Sequence, residues 1–361
     1  MKKSFFVFVF CILYAVFALS SCSTTLRMRV TRPAELDLGA STIAVLPFSE
    51  SIHFPFYSNF NNGREIASES YFNSYGRVNG VERQVLNYLH SEIEKGLMSS
   101  QYVSLISNVA VTNALRGNGK NPADVYITGE MVTFHIFDEK KMVKRQATQE
   151  DLDKEAANNE KFLKSVSVPE SVEIKEVEYV YDTYYTREVL VVFNYEIVDG
   201  ASNKILYYDT LKIDNKSDIV EELKALPSPY SMIEYELRAF VSDFLRKLQP
   251  YSFDKSVTLL EDKTKNPDMK YADQLAKDGY LRESYNAFLN VYDSIGQFEA
   301  GYNAAMILMV LGEFESAESL MEDVYAKTGN YKASQGLTDI RNEIRQADIL
   351  KKQTDSSVLD K

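Results

Sequence analysis

The apolar pattern of this chain changes near residues 262–266, and the change constrains what each part can fold into. Before it, short apolar runs and alternating stretches predict strands with a few amphipathic helices between them; after it, only helical spacing is found. The chain of 361 residues is long enough for two domains with cores of their own. We therefore expect an α/β domain, a mixed sheet with packed helices, over residues 41–262 and an all-α domain over residues 263–361.

The sequence of the helical half contains an internal repeat, whose period is the number of positions from Gly279 to Gly312. In this pattern the small side chain of Ala305 lets helices approach, and Gly312 turns the chain. Phe314 fills the space between helices, and Ala317 packs closely. The pattern resembles the tetratricopeptide repeat, which implies a TPR-like helix–turn–helix array of about two units plus a terminal helix. A plain helical bundle is the alternative, and so short an array lacks a long concave groove.

The segment from Met1 to Cys22 has the pattern of an export leader. Residues 1–3 carry positive charge, and about fifteen apolar residues follow, too few for a spanning helix. The run ends in Leu19-Ser20-Ser21-Cys22, which resembles the lipobox of bacterial lipoproteins. The resemblance implies that residues 1–21 are a signal peptide and that Cys22 is acylated on its thiol and its new amine. An ordinary cleaved signal, or an uncleaved anchor, is the alternative.

The charge and the cysteine content of the chain fit attachment of the protein to a membrane through acyl chains. The chain has 52 acidic and 40 basic residues, a net charge of −12. Such a surface argues against a nucleic-acid partner and against electrostatic docking on anionic lipid, so acyl chains on Cys22 would hold the protein to the membrane. The two cysteines are Cys11, in the leader, and Cys22, so we expect a mature chain without disulfide or free thiol.

Two features near Cys22 bear on location. Ser23, and not an aspartate, follows it, which resembles the pattern of lipoproteins sent to the outer membrane of diderm bacteria. Residues 22–40 are polar and basic, and we expect them to form a tether between the membrane and the first domain. The expected location is the outer membrane, lipid-anchored and facing the periplasm; the inner membrane and surface display stay open.

The N-terminal half mixes strand and helix patterns around one charged stretch. Asn79 and Glu82 resemble a capping box before a helix with apolar residues at every fourth position. Residues 138–176 are highly charged and nearly free of large apolar side chains, which predicts an exposed helix or a disordered insertion. Strands are predicted at residues 42–48, 102–106, 124–137, 189–197 and 205–213, with further helices at 108–115 and 229–248.

Four short segments of this half resemble the CsgG-like and LpoB-like family of lipoprotein domains. They are Ile43-Ala-Val-Leu-Pro-Phe48, Ala123-Asp-Val-Tyr-Ile-Thr-Gly-Glu130, Tyr195-Glu-Ile-Val-Asp-Gly200 and the helix end at Leu248-Gln-Pro250. The resemblance implies a sheet with packed helices in an envelope protein that assembles with others or regulates a partner. No catalytic residues come with that family.

In the secretion branch of that family, hairpins cross the outer membrane as part of an oligomeric pore. Residues 126–137 and 177–198 could form such a hairpin, and several tyrosines favour it. Asp182, Arg187 and Glu188 interrupt the apolar pattern that a spanning strand needs. We expect an extended hairpin that stays within a sheet, with a pore subunit as the alternative function.

The sequence lacks recognisable signatures of catalysis and metal binding. The histidines His53, His90 and His135 lack ligand spacing, and the acidic run at residues 150–153 lacks a calcium-binding glycine loop. We therefore predict no catalytic, cofactor or metal site. The sequence favours a non-enzymatic binding, scaffold or assembly factor for other envelope proteins of unknown identity. A cell-wall or glycan hydrolase remains a further alternative, supported only by unplaced carboxylates.

Overall fold

The computed structural model describes residues 23–50, 80–165 and 179–358. The chain divides into two compact units. The sheet unit is Ala40–Lys247, and the helical unit is Met1–Gly39 together with Leu248–Lys361. The predicted combination of a mixed sheet with packed helices and a C-terminal helical part is confirmed. The sheet unit ends at Lys247, and the described residues 23–39 belong with the helices.

The sheet unit contains the strands β2 (Thr42–Val45), β3 (Ser49–Glu50), β4 (Ser104–Ile106), β5 (Val125–Gln146), β6 (Tyr179–Asp199) and β7 (Ile205–Lys216). They form a mixed sheet with the strand order β4-β2-β5-β6-β7, in which β3 also pairs with β5. β2 runs parallel to both of its neighbours, whereas β5, β6 and β7 are antiparallel. Ile43, Ala44 and Val45 of β2 have no exposed surface, as expected for a strand covered on both faces.

The described helices of this unit are α1 (Val81–Met98), α2 (Asn108–Leu115), α3 (Gln149–Ser165) and α4 (Pro229–Leu248). The stripe predicted for α1 is confirmed, because Val85, Leu89, Ile93 and Leu97 are fully buried. The predicted capping box is replaced by a glycine: the N-cap is Gly80, whose φ of 85° is left-handed, and no side chain caps the helix. Asn79 lies outside the described residues.

Strands β5 and β6 form the hairpin expected from the sequence. They pair antiparallel from Val125 opposite Asp199 to Gln146 opposite Tyr179, with one shift of register between Met131 and Thr133. Its length corrects the prediction for residues 138–176, since β5 continues through the first part of that stretch as far as Gln146; in the rest of its described part, Gln149–Ser165 is helical. Cross-strand charge pairing explains the extension: Asp138 lies opposite Arg187, and Arg145 donates to Asp182 at 2.6 Å.

The helical unit opens with a strand where a tether was expected. β1 (Thr25–Arg32) pairs antiparallel with β8 (Tyr251–Thr258), and we call this pair the ribbon. The physical reason is strict alternation: Leu26, Met28 and Val30 are buried, and the residues between them are exposed or partly so. Residues that look polar on average therefore present one fully apolar face.

Five helices complete this unit: α5 (Pro267–Lys277), α6 (Leu281–Ile295), α7 (Phe298–Val310), α8 (Phe314–Thr328) and α9 (Tyr331–Val358). The interval from the start of α6 to that of α8 equals the interval from α7 to α9, and it equals the repeat found in the sequence. The glycines that end α6 and α8, Gly296 and Gly329, are both left-handed, with φ of 66° and 60°. The period of the sequence is thus also a period of backbone conformation.

The ribbon lies on alternate helices of this array. β1 contacts α5, α7 and α9. Its buried side chains join one hydrophobic core with those of the helices, including Met269, Phe288 and Ile307. The face formed by every second helix is therefore covered by the protein's own strands.

Candidate functional site

The four residues predicted to pack the repeat lie together in the helical unit. Ala305 and Ala317 are fully buried, and Phe314, the first residue of α8, packs partly buried against the same core. Gly312 turns the chain between α7 and α8 with a φ of 80°, a conformation that favours glycine. The predicted lipidation residue, Cys22, lies outside the described residues, which begin at Ser23.

The chain is fixed to the fold almost immediately after Cys22. Thr24 is 6% exposed, and its hydroxyl donates a hydrogen bond to the carboxylate of Asp273 in α5. Its carbonyl accepts from the amide of Leu259 at 2.8 Å, and strand pairing begins at the next residue, Thr25. Ser23 alone therefore separates Cys22 from a residue held by two hydrogen bonds.

A cavity of about 430 Å³ opens beside this fixed N-terminal segment. Its floor is apolar and includes Met269 and Phe288, which are 1% and 0% exposed. Its rim is polar and includes Asp262, Lys265, Lys270 and Asp273. A second cavity, of about 460 Å³, lies along residues 23–27 and the end of α5. Ser23 and Thr24 line both cavities.

Two polar groups hold the segment that follows β8 beside the first cavity. Asn303 of α7, 1% exposed, accepts from the amide of Leu260 at 2.7 Å and donates to its carbonyl at 2.9 Å. Burial alone would raise the pKa of Asp262, but hydrogen bonds from Thr264, Gln297 and Asn266 outweigh it and hold the pKa below its usual value. Sequence reasoning missed both residues because no motif marks them.

The opposite end of the ribbon is held by a buried carboxylate. Glu343 of α9, 3% exposed, accepts two hydrogen bonds from Arg32 at 2.7 and 2.8 Å and one from Lys255 at 2.8 Å. Burial alone would raise the pKa of Glu343, yet these cations lower it below its usual value. Further along, the side chain of Gln353 exchanges hydrogen bonds with the backbone of Ala34 at 2.9 and 3.1 Å.

The sheet unit carries its own polar network at the β6–β7 surface. Asp209 accepts from Tyr195 at 2.9 Å and from Tyr207 at 2.8 Å, and Lys247 lies 3.2 Å from the same oxygen. Burial, and then the hydrogen bond to Asp209, raise the pKa of Tyr195 well above its usual value, so this phenol acts as a donor. Burial alone would raise the pKa of Asp209, but its hydrogen bonds outweigh burial and lower the pKa to about 2. The network joins β6, β7 and α4.

Within residues 23–50, 80–165 and 179–358, no group of histidine, cysteine and carboxylate side chains is placed to hold a metal ion. In the same part of the chain, no helix has the length and apolar content needed to span a bilayer. The sequence predicts that none of the three histidines binds a metal. His90 and His135 lie in the sheet unit, and His53 is outside the described residues.

Comparisons with known proteins give a weak likeness to solved structures. No protein-family model matches the sequence, and neither does any curated protein. A dodecameric PelC variant from Paraburkholderia phytofirmans aligns at a TM-score of 0.25 and 11% identity, over 63% of this chain and 99% of its own. The hypothetical protein CT253 from Chlamydia trachomatis gives the same score and identity, over 57% of this chain and 95% of its own. Scores this low carry no argument about function.

Proposed function

We propose that this protein is a lipid-anchored scaffold or assembly factor of the bacterial cell envelope, held at the outer membrane by acyl chains on Cys22 and facing the periplasm. The observation that carries the proposal is the sequence Leu19-Ser20-Ser21-Cys22, after which residues enter the fold at once, from Thr24 onward. Strand pairing thus begins at Thr25, just after the predicted cleavage site, which fits a mature chain that starts at Cys22.

In this proposal the two units have the roles that their sequence resemblances imply. The sheet unit is a CsgG-like or LpoB-like domain, and the helical unit is a TPR-like array; neither acts as an enzyme. Because the ribbon covers α5, α7 and α9, envelope partners would contact the outer helices α6 and α8 or the sheet unit. Exposed Ile295 and Tyr325 on those outer helices are 65% and 43% accessible.

Acylation is tested by metabolic labelling with an alkynyl fatty acid. The Cys22→Ser variant should incorporate no label and accumulate as uncleaved precursor. Cys11→Ser is the matched control, because it removes the other cysteine of the chain and should label normally. Normal labelling of Cys22→Ser would contradict the anchor.

Partner binding is tested by cross-linking in intact cells. Deleting only residues 263–361 would uncover the apolar face of β1, so the clean deletion is the sheet unit, Ala40–Lys247, replaced by a short Gly-Ser linker. Envelope proteins that both the full chain and this deletion variant capture would be assigned to the helical unit. Proteins that only the full chain captures would be assigned to the sheet unit. Capture of none by the full chain would contradict a scaffold role.

A pore subunit is the second candidate, favoured by the hairpin. β5 and β6 continue beyond the last β7 pair, at Glu188 and Lys216, and expose Met142 and Tyr181, each 58% accessible. Charges on both faces weigh against it: Lys140 and Lys144 lie on one face, and Lys141 and Arg145 on the other. Heat-stable rings in detergent and conductance in planar bilayers would support a pore. A monodisperse monomer after removal of the acyl chains would exclude it.

A further inference from the structure

We propose that the α5 end of the helical unit rests against the phospholipid headgroups of the anchoring bilayer, with no spacer between lipid and fold. This rests on the proposed acylation of Cys22. The surface consists of the exposed residues of α5 and the cavity rim beside Ser23, and its partner is a lipid bilayer.

The length of free chain carries the first step. Only two residue steps join Cys22 to Thr24, and an extended chain spans at most about 7 Å over that distance. Thr24 cannot move away from α5 without losing its hydrogen bonds to Asp273 and to the amide of Leu259. Acyl chains inserted in the bilayer at Cys22 therefore bring α5 to the headgroup layer.

The chemistry of the surface suits that layer. Tyr271 of α5 is 63% exposed, and tyrosine is enriched where the headgroups meet water. Lys265 and Lys270 stand on the cavity rim as phosphate-compatible cations. The rim also carries the carboxylates of Glu261, Asp262 and Asp273. Asp262 accepts hydrogen bonds from Thr264, Asn266 and Gln297 within the fold, and Asp273 accepts one from Thr24. The binding energy comes from the acyl chains, since the chain as a whole is acidic.

The ribbon supplies a direction. β1 leads from Thr25 beside α5 to Arg32 beside Glu343, and a strand spans about 23 Å over these seven residue steps. Gln353 in α9 binds Ala34, just past that far end. Residues of α5 should therefore lie at the headgroups, and residues around Gln353 well away from them.

Depth-dependent quenching tests this arrangement on the full acylated protein in phosphatidylcholine–phosphatidylglycerol vesicles. Lys270→Cys and Lys352→Cys variants are labelled with bimane; both lysines are exposed, and each variant has one free thiol because that of Cys22 is acylated. Headgroup spin-labelled lipid should quench the probe at position 270 at least about threefold more than the probe at 352, given their separation along the ribbon. Equal quenching, or stronger quenching at 352, would overturn the proposal.

Insertion of a spacer after Ser23 tests the orientation of α5 separately from the acylation of Cys22. Inserting a long flexible Gly-Ser segment between Ser23 and Thr24 leaves the lipobox intact, so acylation and vesicle binding should persist while quenching at position 270 falls to the level at 352. Quenching that is unchanged by the spacer would show that the short connection does not set the orientation. Absence of acyl mass on the purified protein would instead defeat the proposed function.

Discussion

The hairpin of the sheet unit and the ribbon of the helical unit are both antiparallel strand pairs, but they are stabilised in different ways. The hairpin is nearly local in sequence and pairs its own buried charges, Asp138 with Arg187, across the two strands. The ribbon joins Thr25 to Thr258, 233 positions further along the chain, and its cations Arg32 and Lys255 are paired by Glu343 of a helix. The buried charge pair of the hairpin is therefore completed within its own two strands, whereas the cations of the ribbon depend on a helix for their partner.

The largest effect is expected when the hairpin loses one buried charge. Asp138 and Arg187 have side chains 4% and 5% exposed and are joined by two hydrogen bonds of 2.7 Å. Arg187→Met leaves a buried carboxylate without its cation and should lower the free energy of unfolding by about 3–5 kcal/mol. Urea denaturation followed by circular dichroism measures this. The double variant Asp138→Leu/Arg187→Met should recover much of the loss; a single variant as stable as the parent would show that the pair is dispensable.

Two methionines on strands test whether β1 is truly part of a core. Met28 of the ribbon is 4% exposed, and Met142 of the hairpin is 58% exposed. Met28→Ala should cost about 2–4 kcal/mol of unfolding free energy through cavity formation. Met142→Ala should change it by less than about 0.5 kcal/mol. If residues 22–40 were a tether, the two substitutions would have equally small effects in the same denaturation experiment.

Two glycines compare close packing in the two units. A methyl group at Gly200, in the turn between β6 and β7, would overlap the backbone carbonyl of Ala123. At Gly301 of α7 it would lie 2.6 Å from side-chain atoms of Tyr292 and Val324. Overpacking of this kind costs about 1–3 kcal/mol, and we expect Gly200→Ala to be the worse, because a backbone carbonyl yields less than side chains. Thermal unfolding of both variants measures the difference, and the reverse order would contradict it.

The smallest effect concerns pH and the ribbon. The folded-state pKa of Glu343 lies below its unfolded value of about 4.3, so its stabilisation is present above that pH and is lost as pH falls through the folded pKa. Glu343→Gln should lower the unfolding free energy at pH 7 by about 1 kcal/mol. It should also flatten the decline of stability below about pH 4.3, as denaturant titrations at stepped pH would record. A parallel decline in both proteins would mean that Glu343 does not couple to folding.

Sequence reasoning reached the parts of the fold that depend on local pattern. The stripe of α1, the hairpin partner of β7 and the period of the helical array follow from the spacing of apolar residues or from a regular repeat, and each has its counterpart in the structure. The alternation Leu26, Met28, Val30 was equally visible in β1, but the intervening threonines and arginines made the segment resemble a polar tether. Its pairing with β8 leaves no local signal, because the partner is so remote.

The candidate site was less accessible to prediction. Cys22 is marked by its leader, whereas Asp273, Asn303 and Glu343 are single polar residues on otherwise ordinary helices. Their importance comes from burial and from partners brought in by another part of the chain. The extension of β5 into the charged stretch was missed for the same reason, since its charges are paired only once β6 lies alongside.

The remoteness of β8 from β1 also has a temporal consequence. During synthesis from the amino end, β1 emerges first, and the strand that completes it follows only after the whole sheet unit. The helices that cover Leu26, Met28 and Val30 come later still, and any chain that stops before Pro267, where the first of these helices begins, leaves the three side chains uncovered. The ribbon can thus form only after translation has continued beyond the sheet unit. Prematurely terminated chains would expose the apolar side chains of β1 to chaperones and proteases.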